Sequence, residues 1–168
     1  MSLNYICSLA NNYFIGTRSV LQTDEVLKSG DFLMSKNRKY VLLLQEDGNL
    51  VLYKCFNANC PNSSGKRDIW ASNTYGKGNP PYSLVIQRDN VLVIYDTNKH
   101  PIWWNSLTIL DRNERVTFQW TSNAYAVLLD DGNFVVYDSQ QRLMWDTATY
   151  DGEKGVYGSG RKHKLSLF

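Results

Sequence analysis

Five side chains within nine residues carry the most suggestive chemistry in this sequence. Gln45, Asp47, Asn49, Val51 and Tyr53 fall at every second position. On a β-strand they share one face, because strand side chains alternate sides. Leu50 and Leu52 then point to the opposite face and enter a core. The shared face offers an amide, a carboxylate, a second amide, a small apolar patch and a phenol. Adjacent hydroxyls with a weakly apolar C–H surface match that row, and a neutral polyol is bound by such an array without a metal. A plainer reading stands beside it: Asp-Gly-Asn makes a turn or bulge, which suits Gly48 and Gly132. A turn requires neither the glutamine before it nor the valine and tyrosine after it.

The stretch recurs. QEDGNLVLY at 45–53, QRDNVLVIY at 87–95 and LDDGNFVVY at 129–137 start 42 residues apart both times. A tryptophan follows each copy: Trp70, Trp103 and Trp145. Trp103 and Trp145 lie eight residues past their tyrosines, and Trp70 lies seventeen past its own. The first copy therefore carries a nine-residue insertion within CFNANCPNSSGKRD, whose Asn, Pro, Ser and Gly read as an exposed loop. It holds Cys55, Cys60 and the glycosylation pattern Asn62-Ser63-Ser64. The two cysteines suit either a small disulfide loop or a pair of free thiols, and Cys7 is left over.

Apolar runs precede the copies: YVLLL at 40–44, YSLVI at 82–86 and AYAVLL at 124–129. Separated by Gly, Asn and Asp turns, they read as strands. The stretch 18–44 reads as the opening strands of the first repeat. Nothing has a sustained helical period. The expectation is an all-β protein of three similar sheets around a pseudo-threefold axis. The repeat-locked tryptophans meet at that axis, where large rings fill a core. Trp104 and Trp120 fit no repeat position; each suits either an exposed contact or, as the favoured expectation, partial burial.

The pattern Gln-x-Asp-x-Asn-x-Val-x-Tyr resembles the signature of the bulb-type, or monocot mannose-binding, lectins. The resemblance covers roughly residues 19–150, leaving 1–18 as an N-terminal extension of a single domain spanning 1–168. It implies a β-prism II of three four-stranded sheets and metal-independent binding of mannose or mannose-rich glycans. By that pattern Asp47 and Asn49 bind the axial 2-hydroxyl, Gln45 the 3-hydroxyl and Tyr53 the 4-hydroxyl, with Val51 against ring carbons. The second copy keeps Gln87, Asp89, Val93 and Tyr95, but Val91 stands where Asn belongs, and Asn90 is one residue early. The third keeps Asp131, Asn133, Val135 and Tyr137, but Leu129 replaces Gln. The first site is therefore expected to be active, the third impaired, and the second impaired or lost. The resemblance also implies assembly into dimers or tetramers, in some members by exchange of C-terminal strands, and Lys164–Phe168 (KLSLF) alternates in the way such a strand does.

Bulk properties narrow the classes. Eighteen basic and sixteen acidic side chains give a net charge of +2, too even to argue for nucleic acid. No apolar run is long enough to span a bilayer. The cluster Arg161, Lys162, His163 and Lys164 reads as a solvated tail. His100 and His163 are not at ligand spacing from the cysteines, so no metal or other cofactor is expected. No side chains form a recognisable catalytic set, and Asp130 and Asp131 face apart, so an enzyme is not expected. Without an evident signal peptide, the sequence leaves open a cytoplasmic, non-classically secreted or mature secreted protein. The competing function is a lectin-fold interaction or defence protein that has lost most sugar binding.

Overall fold

The computed structural model describes residues 18–56, 60, 65–105, 123–155 and 160–162. Thirteen strands follow in chain order: β1 (Val20–Gln22), β2 (Val26–Lys28), β3 (Phe32–Met34), β4 (Tyr40–Leu44), β5 (Leu50–Cys55), β6 (Lys66–Ala71), β7 (Ser83–Ile86), β8 (Leu92–Tyr95), β9 (Pro101–Trp104), β10 (Tyr125–Leu128), β11 (Phe134–Tyr137), β12 (Leu143–Asp146) and β13 (Arg161–Lys162). A single 3-10 turn, Tyr150–Gly152, is the one helical element among the described residues.

The strands form three antiparallel sheets, ordered β3-β4-β5-β6, β2-β7-β8-β9 and β1-β10-β11-β12-β13. The all-β expectation holds. The assignment of 18–44 to the first repeat does not. Only β3 and β4 join the first sheet. β2 pairs with β7 of the second repeat, and β1 with β10 of the third. One short N-terminal stretch thus supplies a fourth strand to every sheet. Its centres are Leu21, Leu27 and Leu33, spaced six apart and all fully buried. The signal was in the sequence, but local pattern alone does not say which sheet each leucine reaches.

Alternation places the inner residues. Leu42, Leu44, Leu50 and Leu52 from the first repeat meet Leu84, Ile86, Leu92 and Ile94 from the second. Ala126, Leu128, Phe134 and Val136 complete the cluster from the third. Each outer hairpin has a register shift just before the motif tyrosine, between Leu52 and Tyr53, Ile94 and Tyr95, and Val136 and Tyr137. Such a bulge turns an extra residue on the outer strand and sharpens its twist. In the first repeat it sends both Ile69 and Trp70 into the core.

At the axis, Trp70, Trp103 and Trp145 form a closed triangle. Every pair of ring centroids is 5.8 Å apart, with interplanar angles of 73° to 79°. Each ring presents its positive edge to a neighbour's negative face, the favoured geometry for aromatic pairs.

The insertion lengthens β5 and β6, and Cys55 and Cys60 close a disulfide across its base. The shorter hairpins are tightened by buried aspartates. Asp96 Oδ1 accepts the backbone N–H groups of Asn98 and His100, and Asp138 Oδ1 those of Gln140 and Arg142. Arg161 and Lys162, expected in a solvated tail, pair with Asp146 and Trp145 as β13. Cys7, Asn62, Trp120, His163 and Lys164–Phe168 lie outside the described residues.

Trp70→Ala should cost about 3–5 kcal/mol of unfolding free energy, the usual range for deleting a buried aromatic. Urea denaturation of the two proteins measures it. A loss within about 0.5 kcal/mol, the scale of ordinary surface substitutions, would show that the triangle does not hold the sheets together.

Candidate functional site

The first half of each motif is a turn, not a strand. β4 ends at Leu44 and β5 begins at Leu50. Between them Gln45 N–H donates to Asn49 O at 2.9 Å, and Gly48 N–H to Gln45 O at 3.1 Å. Asp47 Oδ1 accepts the Asn49 N–H at 2.9 Å. The other two copies repeat this pattern, with Asp89 Oδ1 accepting from Val91 at 3.0 Å and Asp131 Oδ1 from Asn133 at 2.9 Å. The expected single strand face over 45–53 is corrected accordingly. The polar row is assembled by a loop that projects its side chains beyond the sheet's end. The turn reading holds for these residues, and the turn gathers the polar side chains at one end of the sheet.

The turn needs a left-handed residue at its fourth position. Gly48 (φ 85°), Asn90 (φ 66°) and Gly132 (φ 92°) occupy it. This explains Asn90, which is not a displaced ligand: asparagine is among the few residues that tolerate this conformation. Packing adds a second demand. A Cβ on Gly48 would lie 2.8 Å from the Tyr82 ring, and one on Gly132 would lie 2.5 Å from that of Tyr40. Each glycine therefore sits under the tyrosine that opens another repeat. The threefold counterpart of those tyrosines for Asn90 is Ala124, which leaves room for a side chain.

In the first copy Asn49 is held by its oxygen. Asn49 Oδ1 accepts from Ser72 Oγ at 3.1 Å and from the Thr74 N–H at 3.2 Å. Its Nδ2 donors have no partner among the described residues and remain for a ligand. Gln45 Nε2 donates to Tyr53 Oη at 2.7 Å. The amide and phenol, expected to reach separate hydroxyls, are thus one unit that still offers Gln45 Oε1 as acceptor and the Tyr53 O–H as donor. Asp47 Oδ2 is a further acceptor. Val51 is only 4% exposed and is the floor of the site. Across the strand pair from it stands Ala71, which adds only a methyl group and is itself buried.

The long hairpin adds groups that the motif did not suggest. Asp68 pairs across from Tyr53, and Lys66 Nζ lies 5.0 Å above the Tyr53 ring. Burial raises the Tyr53 pKa above its ordinary 10.0, Asp68 and Asp47 raise it further, and the Gln45 hydrogen bond opposes them. Burial also lowers the pKa of Lys66.

The second copy keeps the amide–phenol unit, with Gln87 Nε2 donating to Tyr95 Oη at 2.5 Å. Val91 removes the second amide. Asn105, at the place of Ser72, accepts the Leu92 N–H at 2.6 Å. Across from Val93 stands Trp104, 56% exposed. The expectation of partial burial is corrected, and so is the view that Trp104 fits no repeat position: it corresponds to Ala71.

The third copy differs from the first by more than Leu129. Asn133 Oδ1 is anchored like that of Asn49, by Thr147 Oγ1 at 3.1 Å and the Thr149 N–H at 3.2 Å. However, Asn133 Nδ2 donates to Asp146 Oδ2 at 3.0 Å, and the Tyr150 hydroxyl donates to the same oxygen. Asp146 is fully buried and stands at the position of Ala71 and Trp104. Tyr137, without a glutamine partner, stacks against Tyr125 at 5.6 Å. Burial raises its pKa, with Tyr125, Asp131 and Asp146 adding to the effect.

One position thus distinguishes the three copies: the residue directly after the axial tryptophan. Its significance was hidden because it depends on the bulged register of the outer strand. No group of three or more His, Cys, Asp or Glu able to hold a metal occurs among the described residues. Asp130, half of the acidic pair, accepts the Asn37 N–H at 2.8 Å and so fastens a neighbouring turn.

No family model matches the chain. The B-type lectin plumieribetin of Scorpaena plumieri is 25% identical over 134 residues, which cover 80% of this chain and 98% of that protein. Among solved structures, monomeric monocot mannose-binding lectins from Gastrodia elata superpose with a TM-score of 0.58 at 30% identity, covering 79% of this chain and 98% of theirs. The mannose-specific agglutinin of snowdrop (Galanthus nivalis), complexed with methyl-α-D-mannoside, gives a TM-score of 0.54 at 30% identity, covering 72% and 90%. With a β-prism II fold, three registered motifs and this coverage, the chain belongs to the bulb-type, or monocot mannose-binding, lectin family.

Proposed function

We propose that the protein is a lectin that binds mannose or mannose-containing glycans without a metal, through Gln45, Asp47, Asn49, Val51 and Tyr53. The observation that carries this reading is the state of Asn49. It is the one motif asparagine whose oxygen is anchored while its amide donors stay available. Around it stand acceptors at Asp47 Oδ2 and Gln45 Oε1, a phenol donor and a valine floor. A sugar hydroxyl both donates and accepts, so the Asp47–Asn49 pair can bracket one hydroxyl while Gln45 and Tyr53 serve its neighbours. The snowdrop relative complexed with a mannoside supports mannose as the ligand.

Binding of this kind is shallow, and useful avidity comes from presenting several sites together. With one complete motif per chain, that multiplicity comes from association of chains. A homodimer formed by exchange of C-terminal strands is the arrangement we favour.

Asn49→Ala should weaken binding of methyl-α-D-mannoside by about tenfold or more, equivalent to roughly 1.4 kcal/mol for the lost hydrogen bonds. Titration calorimetry reads it, and wild-type protein silent toward mannosides ends the proposal. Reopening the third motif with Leu129→Gln and Asp146→Ala together should add a second mannoside site to each chain. Unchanged stoichiometry would show that these two residues are not what closes it. Mannoside affinity should also hold through neutral and mildly alkaline pH and fall only above pH 10. A raised phenol pKa means the neutral Tyr53 persists below 10.0 and is lost as the pH climbs through the elevated value. A fall centred near neutral pH would contradict the assigned role of Tyr53.

A further inference from the structure

The second motif departs from the first in a coherent direction. It loses one polar group, with Val91 at the place of Asn49, and gains one large aromatic, with Trp104 at the place of Ala71. The two changes flank the same floor residue, Val93, which is 4% exposed. Val93 and Trp104 are register partners on adjacent strands, so both side chains leave the sheet on the same side. The indole is 56% exposed, whereas Trp70, Trp103 and Trp145 are all buried.

The polar edge of the motif survives intact. Gln87 Nε2 is bonded to Tyr95 Oη at 2.5 Å, which leaves Gln87 Oε1 to accept and the Tyr95 hydroxyl to donate. Asp89 Oδ1 is used by the Val91 N–H at 3.0 Å, which leaves Oδ2. The Asp89 bond also serves the turn, as in the other two copies, but the turn requires neither Gln87 nor Tyr95. A few convergent polar groups next to an exposed aromatic surface are what a small-ligand site requires.

We infer that the second motif is a carbohydrate site of different selectivity, built for a pyranose with all its hydroxyls equatorial, of the β-glucoside class. The inference rests on the reading of these motifs as sugar sites given above. The walls decide the class. Where the first motif has an amide and an alanine, the second has valine methyls and an indole. An axial hydroxyl directed at either wall loses water and finds no hydrogen-bond partner, an unfavourable exchange. A pyranose with only equatorial hydroxyls shows C–H groups on both faces. It lays one face on the indole while its rim of hydroxyls meets Gln87, Asp89 and Tyr95.

The experiment follows methyl β-D-glucopyranoside by intrinsic fluorescence and by calorimetry on wild-type protein, Trp104→Ala, Trp104→Phe and Asn49→Ala. Near-UV circular dichroism checks that the axial tryptophans are undisturbed in each variant. The expected result is a saturable glucoside-dependent change in fluorescence, lost with a drop in affinity of about tenfold or more in Trp104→Ala and partly kept in Trp104→Phe. Asn49→Ala should bind the glucoside like wild type, and better than it binds the matching mannoside or galactoside. Glucoside binding that persists in a protein blind to mannosides supports this inference while ending the first-motif reading. The inference is overturned if the wild type gives no saturable response to the glucoside. Equal affinity in Trp104→Ala, or loss of glucoside binding in Asn49→Ala, overturns it as well.

Discussion

Everything in this structure depends on three sheets closing onto one triangle of tryptophan rings. Large rings at equal spacing require the three backbones to approach the axis in the same way. The outer hairpins therefore carry the same bulge, and the inner hairpins carry the same turn. The glycine-under-tyrosine contacts extend this constraint outward, because two of the turns pack beneath a tyrosine from another repeat. Gly48 with Tyr82 and Gly132 with Tyr40 are two steps of one cycle. Asn90 and Ala124 complete it with the bulk moved from one partner to the other.

Freedom begins where this packing ends. The residue after each axial tryptophan points away from the core onto the motif floor. Nothing in the axial packing dictates its size or charge. Ala71 adds only a methyl beside the floor, Trp104 walls it with an indole, and Asp146 occupies the asparagine amide. A single backbone geometry thereby supports three chemically different surfaces. The insertion acts in the same spirit: it lengthens one hairpin, sets Asp68 and Lys66 beside Tyr53, and packs Cys60 with Met34 and Val41 in a cluster separate from the axial one.

Much of this was legible in the amino-acid order. The repeat spacing led to three sheets, and the registered tryptophans led to a shared axis. The incomplete motifs pointed to three turns with different side-chain surroundings. What stayed hidden was information held between distant segments. Leu21, Leu27 and Leu33 announce three short strands, but only tertiary pairing sends each to a different sheet. Strict alternation over 45–53 failed because local Asp and Gly chemistry turns the chain at Asp47–Asn49. Trp104 looked unplaced because a one-residue bulge decides which residue stands opposite Val93. The capping of Asn133 by Asp146 links positions thirteen apart, through a side-chain bond that no period in the sequence encodes.

The division of β1, β2 and β3 among three sheets has a consequence for the chain as it is made. β1 and β2 leave the ribosome well before their partners, β10 and β7. Val20 pairs with Val127 across about a hundred residues of later sequence, a wait of roughly 5 to 20 seconds at ordinary elongation rates. Only the first sheet can assemble from consecutive strands. The two earliest strands remain open edges throughout, able to pair with any other exposed strand. Their brevity, three residues each, limits that exposure. The vulnerable moment of this molecule therefore comes during its synthesis, before the last repeat arrives to claim the first strand.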